Sequence, residues 1–435
     1  MMLATLRFAT ATAIAAMICA AALGQAAAPS PQKLTLHDAE QIAIQNHPQI
    51  QAAANLAAAA KAEMTQAKSA YYPTAYGSLT AVDAENNSRI AAGALNNPII
   101  YEREANGLTV NQLVTDFGRT YQLVKSANLH AKAEDENVVT TRADVLLAVD
   151  QAYFGVLKAQ AVLKVAQETV KERQLVADQT SALEQNKIKS GLDVSFANVD
   201  LGQAQLLLAQ AQNDLDASNA QLAASLGYGA EGAFQLSEEP LPPAPSADFA
   251  DLLQQAISNR PELIGMRFDA ASAHAYATAE RDLWFPTISA AGSAGLTPTG
   301  AAQLAPRYAA AGVNVNIPIF NGRLFNALHT EAKERAQADD QYLRDLQNRI
   351  VRDVRTAWLN ANTAFQNLAL TDQLLKNATQ AFDLAQARYK LGLSSIVELS
   401  QAQLNETQAE LASASASYDY QVRTAALTYQ IGSLH

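Results

Sequence analysis

The chain says nearly the same thing twice. Ile44-Gln45-Asn46-His47-Pro48 returns as Ile257-Ser258-Asn259-Arg260-Pro261, and Tyr71-Tyr72-Pro73-Thr74 returns as Trp284-Phe285-Pro286-Thr287, both after 213 positions. Thr115-Asp116-Phe117-Gly118-Arg119 returns as Phe320-Asn321-Gly322-Arg323, and Ser225-Leu226-Gly227 as Gln430-Ile431-Gly432, now after about 205 positions. A period this long is a whole structural half, not one unit of a solenoid. The expected organisation is a first repeat over 34–237, a linker over 238–247 and a second repeat over 248–432.

Proline, the strongest helix breaker, partitions each half. None occurs between Pro98 and Pro240 or after Pro318. Gly118 to Ser190 holds one internal glycine, Gly155, and Arg323 to Leu391 holds none. These gaps permit helices of about 70 residues, on the order of 105 Å long. A helix of that length needs lateral partners along its course. Val149, Val156, Leu163 and Val170 recur every seven residues, with Val145, Ala152, Ala159 and Ala166 interleaved, which is a heptad seam. Leu343, Leu346, Ile350, Val354, Ala357, Ala361 and Phe365 form a similar stripe in the second half, drifting towards an 11-residue repeat. Gly191-Leu192 and Gly392-Leu393 interrupt the pattern, and amphipathic sequence resumes through Leu206, Ala211, Leu215 and Leu222, and through Leu404, Leu411 and Tyr418. Two antiparallel helical hairpins are expected, over 118–226 and 322–431, with tips at those Gly-Leu pairs.

A strand pair precedes each hairpin, over 74–116 and 287–319. Val313-Asn314-Val315-Asn316-Ile317-Pro318-Ile319 alternates strictly, giving one apolar and one polar face. Leu108-Thr109-Val110-Asn111 is its counterpart, and the partner strands start after Pro73 and Pro286. The aromatic pairs before those prolines are what a membrane interface selects. The polar stretches 86–103 and 297–307 read as loops between paired strands, and the proline-rich, acidic Glu238 to Ser246 as the joint between repeats. Four strands cannot close a barrel. If they cross a membrane, the chain must oligomerise, and a cyclic trimer supplies 12 strands with no exposed edge.

Residues 1–26 read as a secretory leader, with Arg7 as the only charge and Phe8 to Ala22 as the apolar core. Cys19, the only cysteine, lies inside it, so a mature chain would carry no thiol chemistry. No later run of 18 apolar residues stands out, so no transmembrane helix is expected. Removing Arg7 leaves 30 basic and 42 acidic residues, a net charge of −12, which argues against a nucleic-acid surface. The six histidines are scattered, no metal-ligand spacing or nucleophile–base arrangement stands out, and neither a cofactor nor an enzymatic activity is expected. Asp116-Phe117-Gly118 lacks every companion motif of a kinase.

The duplicated Asn-x-Pro entry, the aromatic-Pro strand starts, the Asp-Phe-Gly-Arg and Phe-Asn-Gly-Arg joints and the Gly-Leu tips, all in order, resemble the outer-membrane efflux protein family of TolC-like channels. The resemblance covers about Leu34 to Gly432. It implies a mainly α fold with a membrane β-barrel: a homotrimer with a 12-stranded barrel in the outer-membrane lipid of a Gram-negative bacterium and a long helical tunnel crossing the periplasm. It implies an exit duct of an efflux or type I secretion system, with a periplasmic adaptor (membrane fusion protein) and an inner-membrane pump as partners. By the same resemblance Tyr389 is the gate tyrosine and Asp193 its acidic hydrogen-bond partner. Glu398 forms an acidic ring at the pore constriction. Gln401 stands where a second acidic ring is usual, and Ser394 where the family archetype has a closing arginine, for which Lys187 or Lys189 could substitute. Gly191, Leu192, Gly392 and Leu393 would meet the adaptor, and Gly118 and Gly322 would relieve crowding at the strand-to-helix joints. The competing reading is a periplasmic helical-hairpin adaptor or scaffold that never spans the membrane.

Overall fold

The computed structural model describes residues 33–83, 103–229, 234–246, 248–300 and 305–434. The leader with Cys19, most of the 86–103 loop and residues 301–304 of the second loop lie outside them. The first repeat runs β1 (Lys33–Leu34), α1 (Leu36–Asn46), α2 (Pro48–Ser69), β2 (Thr74–Val82), β3 (Arg103–Thr115), α3 (Arg119–Gln185) and α4 (Gly191–Ser225). After β4 (Gln235–Leu236) the second runs α5 (Phe249–Asn259), α6 (Pro261–Arg281), β5 (Thr287–Gly300), β6 (Arg307–Asn316), α7 (Leu324–Lys390) and α8 (Ile396–Gln430).

Each Asn-x-Pro motif breaks one helix into two. His47 and Arg260 are extended because a proline follows, and Pro48 and Pro261 then open α2 and α6. The far end of the same repeat's hairpin packs into the break. Gly227 and Gly432 are left-handed, with φ of 81° and 72°. A Cβ on Gly227 would lie 3.0 Å from the Asn46 carbonyl oxygen, and one on Gly432 would lie 2.9 Å from the Arg260 nitrogen. The two duplicated motifs are therefore two sides of one contact.

The long helices α3 and α7 are both 67 residues, and the return helices α4 and α8 both 35. The α3 seam is real: Val145, Val149, Ala152, Val156, Ala159 and Ala166 are buried, with Leu163 and Val170 partly so. Ala197, Ala204 and Ala211 answer it from α4 at the same seven-residue spacing. Small residues facing one another let the helix axes close up, which displaces the larger neighbours. Leu206 is accordingly 74% exposed and Leu404 46%, against the expected inward stripe. On α7 Leu346, Ile350, Val354, Ala357 and Ala361 are buried, while Phe365 leaves the stripe and leans on Tyr420, ring centroids 5.4 Å apart.

α3 contains an 18-residue window with mean hydropathy of 1.2, long and apolar enough to cross a bilayer. More than half of that window is buried within the protein, so its apolarity serves packing. The largest cluster explains it: Val145, Val149, Tyr153, Phe154 and Val156 of α3 meet Ala39 and Ala43 of α1 and Leu222 of α4. The 238–246 joint is likewise no loose linker. The Tyr153 hydroxyl donates to the carbonyls of Leu34 (2.9 Å) and Ser237 (2.7 Å), Gln421 donates to Glu239 (3.0 Å), and the Trp358 indole donates to Ser246 (2.8 Å). With Ser237, which precedes it, the joint straps α3, α8 and α7 together.

The four long strands form one antiparallel sheet in the order β2-β3-β5-β6. Its register sorts the side chains by chemistry. Ala75 faces Val110, Gly77 faces Leu108, Leu108 faces Ala294, and Ala290 faces Val313 on one side. Tyr76 faces Thr109, Thr74 faces Asn111, and Ser289 faces Asn314 on the other. On the polar side Gly107, Gly295 and Tyr308 stand in one row, and a Cβ on either glycine would collide with the Tyr308 ring. β6 ends at Asn316, earlier than the alternation suggested, because Pro318 cannot donate to a ladder.

Gly227→Ala and Gly432→Ala should each lower stability by about 1–3 kcal/mol, from the left-handed backbone plus the displaced neighbour. Thermal melting in detergent checks this; an unchanged midpoint for both would mean that the helix break does not hold the hairpin end.

Candidate functional site

At the far end of the hairpins each long helix stops in the same way. In the second tip Gly392 is left-handed (φ 73°), its N–H donates to the Tyr389 carbonyl at 3.0 Å, and the Leu393 N–H donates to Arg388 at 2.9 Å. That is a Schellman ending. In the first tip Lys187 takes this place with φ 60°, donating to Glu184 at 2.7 Å, and Ile188 donates to Leu183 at 2.9 Å. Gly191 is thus not the turn glycine; it is the first residue of α4. The structural counterparts are Lys187 and Gly392, Ser190 and Ser395, Asp193 and Glu398, all 205 apart like the motifs at the joints. Pairing the tips by their Gly-Leu spelling shifts the first tip by four residues.

Asp193 acts within its own tip. Its carboxylate accepts from the Ser190 N–H (2.9 Å) and hydroxyl (2.7 Å), while the Ser190 hydroxyl oxygen accepts from the Asp193 N–H (3.2 Å). This capping box satisfies two donors at the helix start. Burial pushes the Asp193 carboxyl upward, but the Ser190 bonds and the Lys189 charge outweigh it, leaving it below the usual carboxylate range. The expected Tyr389–Asp193 hydrogen bond is not made within the chain. Tyr389 is buried among Phe382, Ala385, Ile396 and Leu399, and its hydroxyl has no partner. Burial, then the charge of Asp193, raises its phenol. Lys189 grips Tyr389 instead: its ammonium lies 3.7 Å from the ring centroid and 3.5 Å from the carbonyl oxygen. A cation over a ring face at that distance is attractive.

Ser394 offers no substitute for an arginine, and its hydroxyl is buried without a partner. The cation comes from α7, where Arg388 Nε lies 3.3 Å from Glu398 Oε1. Glu398 stands in the first turn of α8, its N–H donating to the Ser395 hydroxyl at 3.3 Å. Gln401, one turn on, donates to Asn405 at 3.0 Å. The sequence offers Lys189 only as a stand-in for the closing arginine, not as the partner of Tyr389, and it does not single out Arg388; spacing alone does not reveal which way a long side chain folds back. Leu192 and Leu393 are exposed, as are Ile188 and Leu391, so each tip presents a small apolar surface.

At the other end Gly118 and Gly322 are left-handed (φ 113° and 61°), next to Phe117 and Arg323, which are too. Asp116 caps α3, accepting from Thr120 N–H at 2.7 Å, whereas its counterpart Asn321 has neither side-chain atom paired. Around these joints Tyr72, Phe117, Phe285, Ile319 and Phe320 are exposed in a band.

A small sheet with one apolar and one polar face, prolonged by two hairpins of about 100 Å, defines the class of outer-membrane channel chains. This chain belongs to the outer membrane efflux protein family, whose model matches residues 40–228 and 252–433. It is 26% identical over 359 residues to the outer membrane protein TolC of Salmonella enteritidis, covering 77% of this chain and 72% of that one. It is 24% identical over 302 residues to the cobalt-zinc-cadmium resistance protein CzcC of Cupriavidus metallidurans, covering 68% and 69%. In fold it resembles the outer membrane protein VceC of Vibrio cholerae with a TM-score of 0.78 and 17% identity, over 91% of this chain and 96% of that one.

The tip register has a direct check. Gly191→Ala should be neutral or slightly stabilising, since it places alanine inside a helix, whereas Gly392→Ala should cost about 1–2 kcal/mol. Amide exchange at the two tips reads both, and a larger loss at Gly191 would restore the Gly-Leu pairing.

Proposed function

We propose that three copies of this chain form the exit duct of a tripartite efflux or type I secretion assembly, closed at rest by its helical tips. The observation that carries this reading is the register of the sheet. It gathers apolar residues on one face while β2 and β6 remain open edges. Open edges are not tolerated in hydrocarbon, and closing them needs further strands. Three sheets of four strands supply them, with the apolar face towards lipid, the Thr/Ser/Asn face towards water, and the aromatic band at the boundary. An adaptor would carry one hairpin; here each of two hairpins has its own strand pair.

The duct does no bond chemistry, so its function lies in the width and charge of the tips. We place the resting lock on Lys189 and Tyr389, which join the first hairpin to the second. The three Glu398 carboxylates would ring the constriction, each partly neutralised by Arg388. Exposed leucines at both tips fit the apolar end of a periplasmic adaptor, and opening is a repacking of helices selected by that adaptor and its pump.

Extraction of the protein from isolated outer membranes and native mass spectrometry should give a trimer; a monomer confined to the soluble periplasm would remove the duct reading. In planar bilayers Lys189→Gln should raise resting conductance about tenfold, if the lost contact is worth about 1.4 kcal/mol. Tyr389→Phe should leave the melting midpoint unchanged, because the hydroxyl it removes has no partner within the chain. Glu398→Gln should reduce cation preference and Arg388→Gln should increase it, since the latter frees a carboxylate. Equal reversal potentials for the two variants would dismiss the charged ring.

A further inference from the structure

The alanine line of α3 does not stop at Ala166. Counting on by sevens, Ala152, Ala159 and Ala166 are followed by Arg173 and Thr180, and all five are buried. An arginine therefore occupies a seam position meant for a small side chain, about 18 Å from the end of its helix. It crosses from the first hairpin to the second: one Nη2 donates to the Gln403 carbonyl and to the Thr407 hydroxyl of α8, both at 3.0 Å. Gln403 and Glu406 are buried beside it. Arg173 Nη1, Gln403 Nε2 and Glu406 Oε2 are buried polar atoms without hydrogen-bond partners, Glu172 Oε2 standing 3.8 Å from that Nη1. This is a polar layer in an otherwise apolar seam, only partly satisfied, and such layers set register at a cost in stability.

Its place gives it a consequence for the duct proposed above, on which this inference rests. With the sheets fixed in a barrel, the tips widen only if the second hairpin swings away from the first. Every contact between the two hairpins opposes that swing. Among the described residues the polar ones, from the tip upward, include Lys189 to Tyr389, Asp200 to Ser400, Arg173 to Gln403 and Thr407, and Lys158 to Asp419. Of the charged groups in these contacts, only Arg173 is fully buried.

We propose that Arg173, with Gln403, Glu406 and Thr407, is a second latch of the tunnel, holding the two hairpins together and loosening when Glu406 is ionised. The charges facing this layer come from every neighbouring helix: Glu168 and Glu172 of α3, Asp200 of α4, Asp383 of α7 and Glu410 of α8, against the single cation Arg173. Burial first, then Glu410 and Glu172, pushes the Glu406 carboxyl up to about 7 from its ordinary 4.5. The packed seam therefore holds a proton that the parted seam releases, so closure is strongest below the ordinary value. It weakens as pH rises and is least favoured above about 7.

The test is resting conductance of the full trimer in planar bilayers between about pH 5 and about pH 8, with melting followed in parallel. Wild type should conduct about tenfold more at the upper end, and Glu406→Gln, isosteric with the neutral acid, should stay at the low value throughout. Arg173→Met should conduct at the high value at both ends. A Glu406→Gln trimer that keeps the wild-type pH response, or an Arg173→Met trimer that melts earlier yet conducts as wild type, overturns the latch. A protein that conducts at no pH even as Lys189→Gln overturns the duct reading itself.

Discussion

A helix of 67 residues has no stability of its own to match its length; it lasts only where another helix covers it. Everything else in this chain follows from that requirement. Alanines at seven-residue spacing on both α3 and α4 let the two axes approach closely enough for backbone-rich surfaces to exclude water along the hairpin. The shorter helices α1, α2, α5 and α6 cover what α4 and α8 do not reach, because the return helices are about half as long as the ones they return from. The apolar stretch of α3 that by composition could cross a bilayer is spent on this covering.

The same requirement explains the doubling. One hairpin has two faces, and a second copy buries part of one of them. In a cyclic trimer each hairpin would then meet neighbours on both sides, as each strand would. The sheet poses the same problem in another form: its apolar face and its two open edges are both unsatisfied in one chain, and the proposed threefold closure would pair the edges and turn the apolar face to lipid. Between these two regions, the strap over 237–246 ties α3, α7 and α8 through Tyr153, Gln421 and Trp358. Above it the helices continue the sheet; below it, in the proposed duct, they would move relative to one another. Tips hung from a fixed girdle suit a gate.

The polar residues in the lower seam are best understood against that freedom. Capping boxes and Schellman turns hold each hairpin rigid within itself. The contacts between hairpins are fewer, and two of them rest on single cations: Lys189 over a ring and Arg173 in its buried layer. In the proposed gate, a joint made of a few discrete polar contacts between rigid bodies would have two packings that a partner can choose between.

The sequence by itself determined the repeats, the lengths of the long helices, the alternating faces of the strands and the place of the hinge motifs. These are legible because proline, glycine and periodicity act locally. It suggested the tip residues Tyr389, Asp193 and Glu398, and left their partners to be expected from resemblance. The tertiary structure decided those partners: Asp193 caps its own helix, Tyr389 receives Lys189, and Glu398 receives Arg388. It also decided that Lys187 and not Gly191 turns the first tip. The reason is physical. A Schellman ending is fixed by where the helix stops packing, so a lysine will adopt the left-handed conformation if the seam ends there, and the glycine four residues later stays helical. Arg173 was hidden for the same reason, since a charged residue on a seven-residue line is an ordinary surface residue until the helix that covers it is known.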